Sequence, residues 1–121
     1  MPVELKDRNI IEYNDDGQII YTKDYKSGLE TWKDYDVYGR LIRVKNSLGY
    51  ETVYRWNSNG RCTEKIVKYY NRIIVETRYK YNENNQLIYI EDTNGFKAWF
   101  EYDENGNEIS YRNSNGYEER A

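Results

Sequence analysis

The chain contains no histidine, which removes the commonest general base near neutral pH and the commonest imidazole metal ligand together. What remains for catalysis is paired carboxylates, a serine assisted by a lysine, or the one cysteine. Asp15 with Asp16, Asp34 with Asp36, and Asp103 with Glu104 lie in or beside glycine-bearing turns, where Asp and Asn are favoured because their side chains bond their own backbone. Turn chemistry therefore accounts for them better than glycosidase-type acid and base work. The acidic stretches NDDG and DENGN lack the twelve-residue order and closing Glu of an EF-hand. Cys62 can form neither an intramolecular disulfide nor a thiolate metal site by itself and reads as a small buried hydrophobe. No glycine loop with its lysine is present to cradle phosphate. These residues predict a non-enzyme with no cofactor and no metal.

The remaining chemistry is that of a surface. Trp32, Tyr38, Tyr70 and Trp99 are predicted to stand exposed, and large rings of low conformational entropy suit the hot spot of a protein interface. Arg55, Arg61, Lys65, Lys68, Arg72 and Arg78 interleave with Tyr69, Tyr70 and Tyr79, a pattern that fits a nucleic-acid strand held by charge and stacking. The rings also fit sugars. Residues 1–39 hold 5 basic and 9 acidic side chains, residues 40–80 hold 10 and 3, and residues 81–121 hold 3 and 9. A basic middle between acidic ends fits an anionic partner or a second copy of the chain, and cross-strand ion pairs are the plainer explanation.

The elements that position these residues repeat. YNDDGQII from Tyr13, YDVYGRLI from Tyr35, WNSNGRCT from Trp56, YNENNQLI from Tyr81 and YDENGNEI from Tyr102 align with one another. Gly17, Gly39, Gly60 and Gly106 share one turn position and Asn85 substitutes once, which points to a positive φ there. Second turns fall at Gly28, Gly49, Gly95 and Gly116. Between Cys62 and Tyr81 that glycine is missing, Tyr70-Asn71-Arg72 make the reversal, and the unit is four residues longer. An irregular copy within a repeat is where a specific function is expected.

Alternation with period two follows each second turn, as in Tyr50, Thr52, Tyr54 and Trp56, or Phe96, Ala98, Phe100 and Tyr102, so each set lies on one face of a strand. The intervening positions are mostly charged, with Trp32, Val53 and Trp99 as exceptions. One face is thus predicted as the core face. Periodicity predicts an all-β fold of about eleven strands, an antiparallel β-meander built from hairpin repeats of about 21 residues, strongly twisted or coiled because open sheets rarely exceed about ten strands flat. At 121 residues the chain is read as one domain, residues 1–121, with half-units at both ends. Its mean hydropathy of −1.10 would suit a disordered chain, but 15 tyrosines and 3 tryptophans argue for folding. No apolar run resembles a secretory signal or a membrane span, so a cytoplasmic protein without membrane contact is expected.

YDVYGRLI followed by SLGYETVYRW, and YDENGNEI followed by SNGYEE, resemble the YD repeats of the RHS family over nearly the whole chain, from about Tyr13 to Glu119. The resemblance implies a β-hairpin repeat fold with a structural or binding role and no catalysis, in a short free-standing member of the kind found in bacteria and bacteriophages. The function expected is a non-enzymatic protein-binding module, an accessory factor that inhibits a host or defence protein. Carbohydrate binding through exposed Trp and Tyr, and nucleic-acid binding through the basic central unit, are the alternatives. Self-association into a homo-oligomer is expected alongside.

Overall fold

The computed structural model describes residues 2–121, and among them every regular element is a strand. The twelve are β1 (Val3–Lys6), β2 (Asn9–Tyr13), β3 (Ile19–Lys23), β4 (Glu30–Tyr35), β5 (Leu41–Asn46), β6 (Tyr50–Trp56), β7 (Cys62–Tyr69), β8 (Arg72–Tyr81), β9 (Leu87–Asp92), β10 (Lys97–Tyr102), β11 (Glu108–Asn113) and β12 (Glu118–Arg120). They form one antiparallel open sheet in the order of the chain. The count exceeds eleven because the N-terminal half-unit, Val3–Tyr13, folds back at Asp7 (φ 53°) and Arg8 (φ 67°) into two strands. Two consecutive residues of positive φ make the two-residue hairpin turn whose twist matches the flanking strands. No glycine marks that turn.

The repeat has a physical cause at each position. The Asn or Asp after the aromatic caps the first turn: Asp36 Oδ1 accepts from the Tyr38 and Arg40 amides at 2.9 and 3.0 Å, and Asp103 Oδ1 from the Asn105 and Asn107 amides at 2.9 Å each. Asn14, Asn57 and Asn82 do the same. The shared fourth position of the turn carries φ between 62° at Asn85 and 85° at Gly106, the left-handed conformation that glycine and asparagine tolerate. Opposite the step into Tyr13, Tyr35, Tyr81 and Tyr102 the following strand carries one extra, bulged residue, respectively Ile20, Ile42, Ile88 and Ile109.

In three of the five copies the leading tyrosine ties its copy to the one before. Tyr35 Oη donates to the Ile19 carbonyl at 2.7 Å, Tyr81 Oη to the Cys62 carbonyl at 2.6 Å and Tyr102 Oη to the Leu87 carbonyl at 2.6 Å. Burial raises the pKa of all three phenols. A second tie joins successive first turns: Gln18 Nε2 donates to the Gly39 carbonyl, Gln86 Nε2 to that of Gly106, and Arg61 Nε to that of Asn85. Tyr35, Tyr81 and Tyr102 therefore occupy equivalent places.

The chain divides into two compact units, Met1–Tyr54 with Val67–Ile74, and Arg55–Ile66 with Val75–Ala121. The first holds β1–β5 and the tip of the β7–β8 hairpin; the second holds β9–β12. Neither has a sealed interior. Among the described residues Ile66, Ala98 and Ser110 are buried, and no large side chain is fully buried. The expected core face is the better covered one on β4, where Thr31, Lys33 and Tyr35 are half-buried and Trp32 and Asp34 exposed, but a single sheet layer leaves its rings only half-covered by their neighbours, and cohesion comes from the ladder and cross-strand pairs.

Candidate functional site

The second turns share a closing device, and its failure at one place creates the most distinctive surface. The first residue of β4, Glu30, gives its amide to Ser47 Oγ and takes the Ser47 amide on its carbonyl. Lys97 makes the same exchange with Ser114, and Glu76 with Thr93. In each case the hydroxyl residue lies 17 positions further on. Counting the same 17 from Glu51, the corresponding residue of β6, reaches Lys68, which has no hydroxyl. At that point β7 continues outward, the chain reverses at Tyr70 (φ 46°) and Asn71 (φ 66°), and β8 begins four residues ahead of Glu76.

Rings cluster at this tip within the first unit. The Tyr70 amide donates to the Gly49 carbonyl at 2.9 Å. The Tyr70 ring lies so close over Gly49 that a Cβ there would sit 2.6 Å from Tyr70 Cζ. Tyr69 meets Tyr70 edge-on at 4.5 Å between centroids and meets Tyr50 at 4.7 Å, a geometry that ring quadrupoles favour. The rings are held but not covered: Tyr70 is 65% exposed and Tyr69 41%, and Leu48, Tyr50, Ile73 and Ile74 are exposed beside them. No acidic residue occurs from Lys65 to Val75, while Lys65, Lys68 and Arg72 do. Large apolar groups contiguous on a surface and rimmed by charge mark an interaction site.

Of the residues singled out from sequence, Lys68, Tyr69, Tyr70 and Arg72 come together in this tip. Trp32 borders the tip, lining one surface cleft with Gly49, Glu51, Tyr70 and Asn71, whereas Tyr38 belongs to the same unit but not to the cluster. Trp32 is exposed on β4, packs on Tyr21 at 5.7 Å and stands opposite Lys45. Tyr38, in the first turn of its copy, carries the Arg40 guanidinium over its ring. Arg55, Arg61, Lys65 and Arg78 belong to the second unit. There Arg61 is engaged with Asn85, and the Arg78 side chain is exposed opposite Glu91. Trp99, expected exposed, is half-buried: Tyr89 covers one side at 5.7 Å and the Arg112 guanidinium lies 4.3 Å from its ring centroid. Strand register is the cause, since Trp99 stands opposite both.

The remaining groups are structural in their surroundings. The Ser27 hydroxyl and amide hold Asp24 below the usual carboxylate range. Asp103 is held low by the Asn107 amide. Burial works against the charged Asp36, but the Arg40 and Tyr38 amides and the Arg40 guanidinium at 2.8 Å outweigh it and keep its pKa low. Tyr21 donates to Glu30 at 2.6 Å, and that bond to a carboxylate pushes the phenol up to about 12. Burial raises the Cys62 thiol, the opposite of what a reactive thiolate needs. Among the described residues no three His, Cys, Asp or Glu side chains converge on a metal position.

Sequence reasoning missed Leu48, Tyr50, Ile73 and Ile74 as members of the tip. The detectable signal was the four-residue excess together with Lys68 in place of a serine or threonine.

Comparison with known proteins agrees with this architecture. Residues 35–68 match the RHS Repeat family model. The toxin protein Tse5 of Pseudomonas aeruginosa is 33% identical over 87 residues, 69% of this chain but 6% of Tse5. The crystal structure of TcdB2-TccC3-TEV superposes with a TM-score of 0.70 at 26% identity, covering 88% of this chain and 5% of that one. The Tc holotoxin pore of Photorhabdus luminescens superposes with a TM-score of 0.78 over 98% of this chain and 7% of the other, at 15% identity, a likeness of fold alone. The chain thus spans a small fraction of each relative.

Proposed function

From the premise that this is a YD/RHS-repeat-like chain, we propose that it is a non-enzymatic protein-binding module whose contact surface is the β7–β8 tip. One observation carries this reading. The copy that departs from the repeat is also the one that presents Tyr69, Tyr70, Ile73 and Ile74 to solvent. A tyrosine pair preorganised over Gly49 loses little further entropy on binding, which is how such anchors contribute affinity. The module acts as an accessory factor by occupying a partner's surface, and inhibition of a host or defence protein is the consequence expected if that surface is an active one.

A photo-crosslinking residue at position 70, with one at position 104 as control, tests the reading in cells that make the chain. Capture of one protein from position 70, competed away by excess unlabelled chain and lost in Tyr69→Ala, is expected. Equal capture from both positions, or none from position 70, would refute it.

A further inference from the structure

The residues that lengthen β8 carry a second property besides exposed side chains. The β8–β9 ladder runs from Tyr81↔Leu87 to Thr77↔Asp92, and the Thr93–Glu76 exchange closes it. Arg72, Ile73 and Ile74 lie outside that ladder, in extended conformation. A strand offers alternate backbone N–H and C=O groups to either side, so these three residues form a short strand edge beyond the last pair of that ladder. Natural edges are usually blunted by charge, proline or a bulge. Here the edge carries Ile73 and Ile74, 55% and 48% exposed. Consecutive residues face opposite sides of a strand, so an isoleucine flanks each face of the open edge.

We propose that Arg72–Ile74 receive an extended acidic and apolar segment of the partner protein as an added β-strand, main chain to main chain. The inference rests on the reading of the tip as a protein-binding surface and names the chemistry of what binds. Backbone pairing supplies affinity in this mode and the flanking side chains select the guest. Apolar residues of the guest meet Ile73 and Ile74. Its carboxylates meet Lys68 and Arg72, in a stretch from Lys65 to Val75 that holds no acidic side chain.

The probes are a fluorescein-labelled peptide of alternating Val and Glu, its Val and Lys counterpart, the Val and Glu peptide N-methylated at successive amides so that both of its edges are blocked, and oligo-dT. Fluorescence anisotropy with the full chain should show binding of the Val and Glu peptide alone. Its affinity should fall about tenfold in Ile74→Ser, which removes the apolar contact without adding charge, and again at high salt, as a contact that depends on charge requires. Equal binding of the acidic and basic peptides, or undiminished binding of the N-methylated one, would overturn the inference. So would oligo-dT binding that Arg72→Ala weakens, or a salt-stable dimer in sedimentation that Ile74→Ser dissolves. If crosslinking at position 70 captures a partner while no peptide binds, the added strand is refuted and the protein-binding reading stands; if neither occurs, both fall.

Discussion

Gly49 and Gly95 form a matched pair for testing how the tip is held. Each closes a second turn, with its amide 3.2 Å from the carbonyl of Asn46 or Asp92, and their φ angles are 96° and 93°. They differ in what a Cβ would meet: open space at Gly95, the Tyr70 ring at 2.6 to 2.9 Å at Gly49. Alanine at either position suffers the left-handed backbone, about 1–2 kcal/mol. At Gly49 the ring must also swing away and lose its edge contact with Tyr69, worth about 0.5–1.5 kcal/mol. Urea unfolding followed by circular dichroism should therefore show Gly49→Ala costing about 1 kcal/mol more than Gly95→Ala, and the excess should vanish in a Tyr70→Ala background, as a double-mutant cycle isolates a pairwise term. Equal losses at the two glycines, or an excess that survives without Tyr70, would refute the packing of Tyr70 on Gly49.

Other consequences are as direct. Tyr35→Phe, Tyr81→Phe and Tyr102→Phe should each cost about 1 kcal/mol in the same assay, because each removes one hydrogen bond between successive copies. Asn85→Gly should be neutral or slightly stabilising and Asn85→Ala destabilising by about 1 kcal/mol, measured by thermal melts, since φ is 62° there. Asp24, Asp36 and Asp103 have folded pKa values below their ordinary one, so their contribution is complete above about pH 4 and is lost as pH falls through the lower folded values; an acid titration of stability should decline there and not at neutral pH. Tyr21 runs the other way. Its pKa of about 12 lies above the unfolded value near 10, so its contribution is complete below about pH 10 and disappears as pH rises toward the folded value, with tyrosinate absorbance appearing late.

Much of this fold was legible because its causes are local. The Asx cap at Asp36, the positive φ at Gly39 and the aromatic at Tyr35 lie within five residues of sequence, and each repeats at nearly constant spacing. The turn at Asp7–Arg8 was not legible, because neither residue belongs to the glycine and asparagine alphabet that usually marks left-handed backbone. Trp99 was misplaced for a different reason: its cover comes from Tyr89 and Arg112 on two neighbouring strands, and alternation within one strand does not reveal register across three. Tyr70 is legible from sequence, but the exposure of Ile73 and Ile74 is not, because it depends on where the β8–β9 ladder ends.

The regularised chain is the most direct test of the central claim. Replacing Val67–Tyr70 by the turn Asn-Ser-Leu-Gly of residues 46–49 and deleting Asn71–Ile74 would give the irregular copy the spacing of the others. This variant should keep its β-type circular dichroism and cooperative melt while losing the protein captured by the intact chain in a quantitative pull-down. Retention of that protein by a folded regularised chain would contradict that claim.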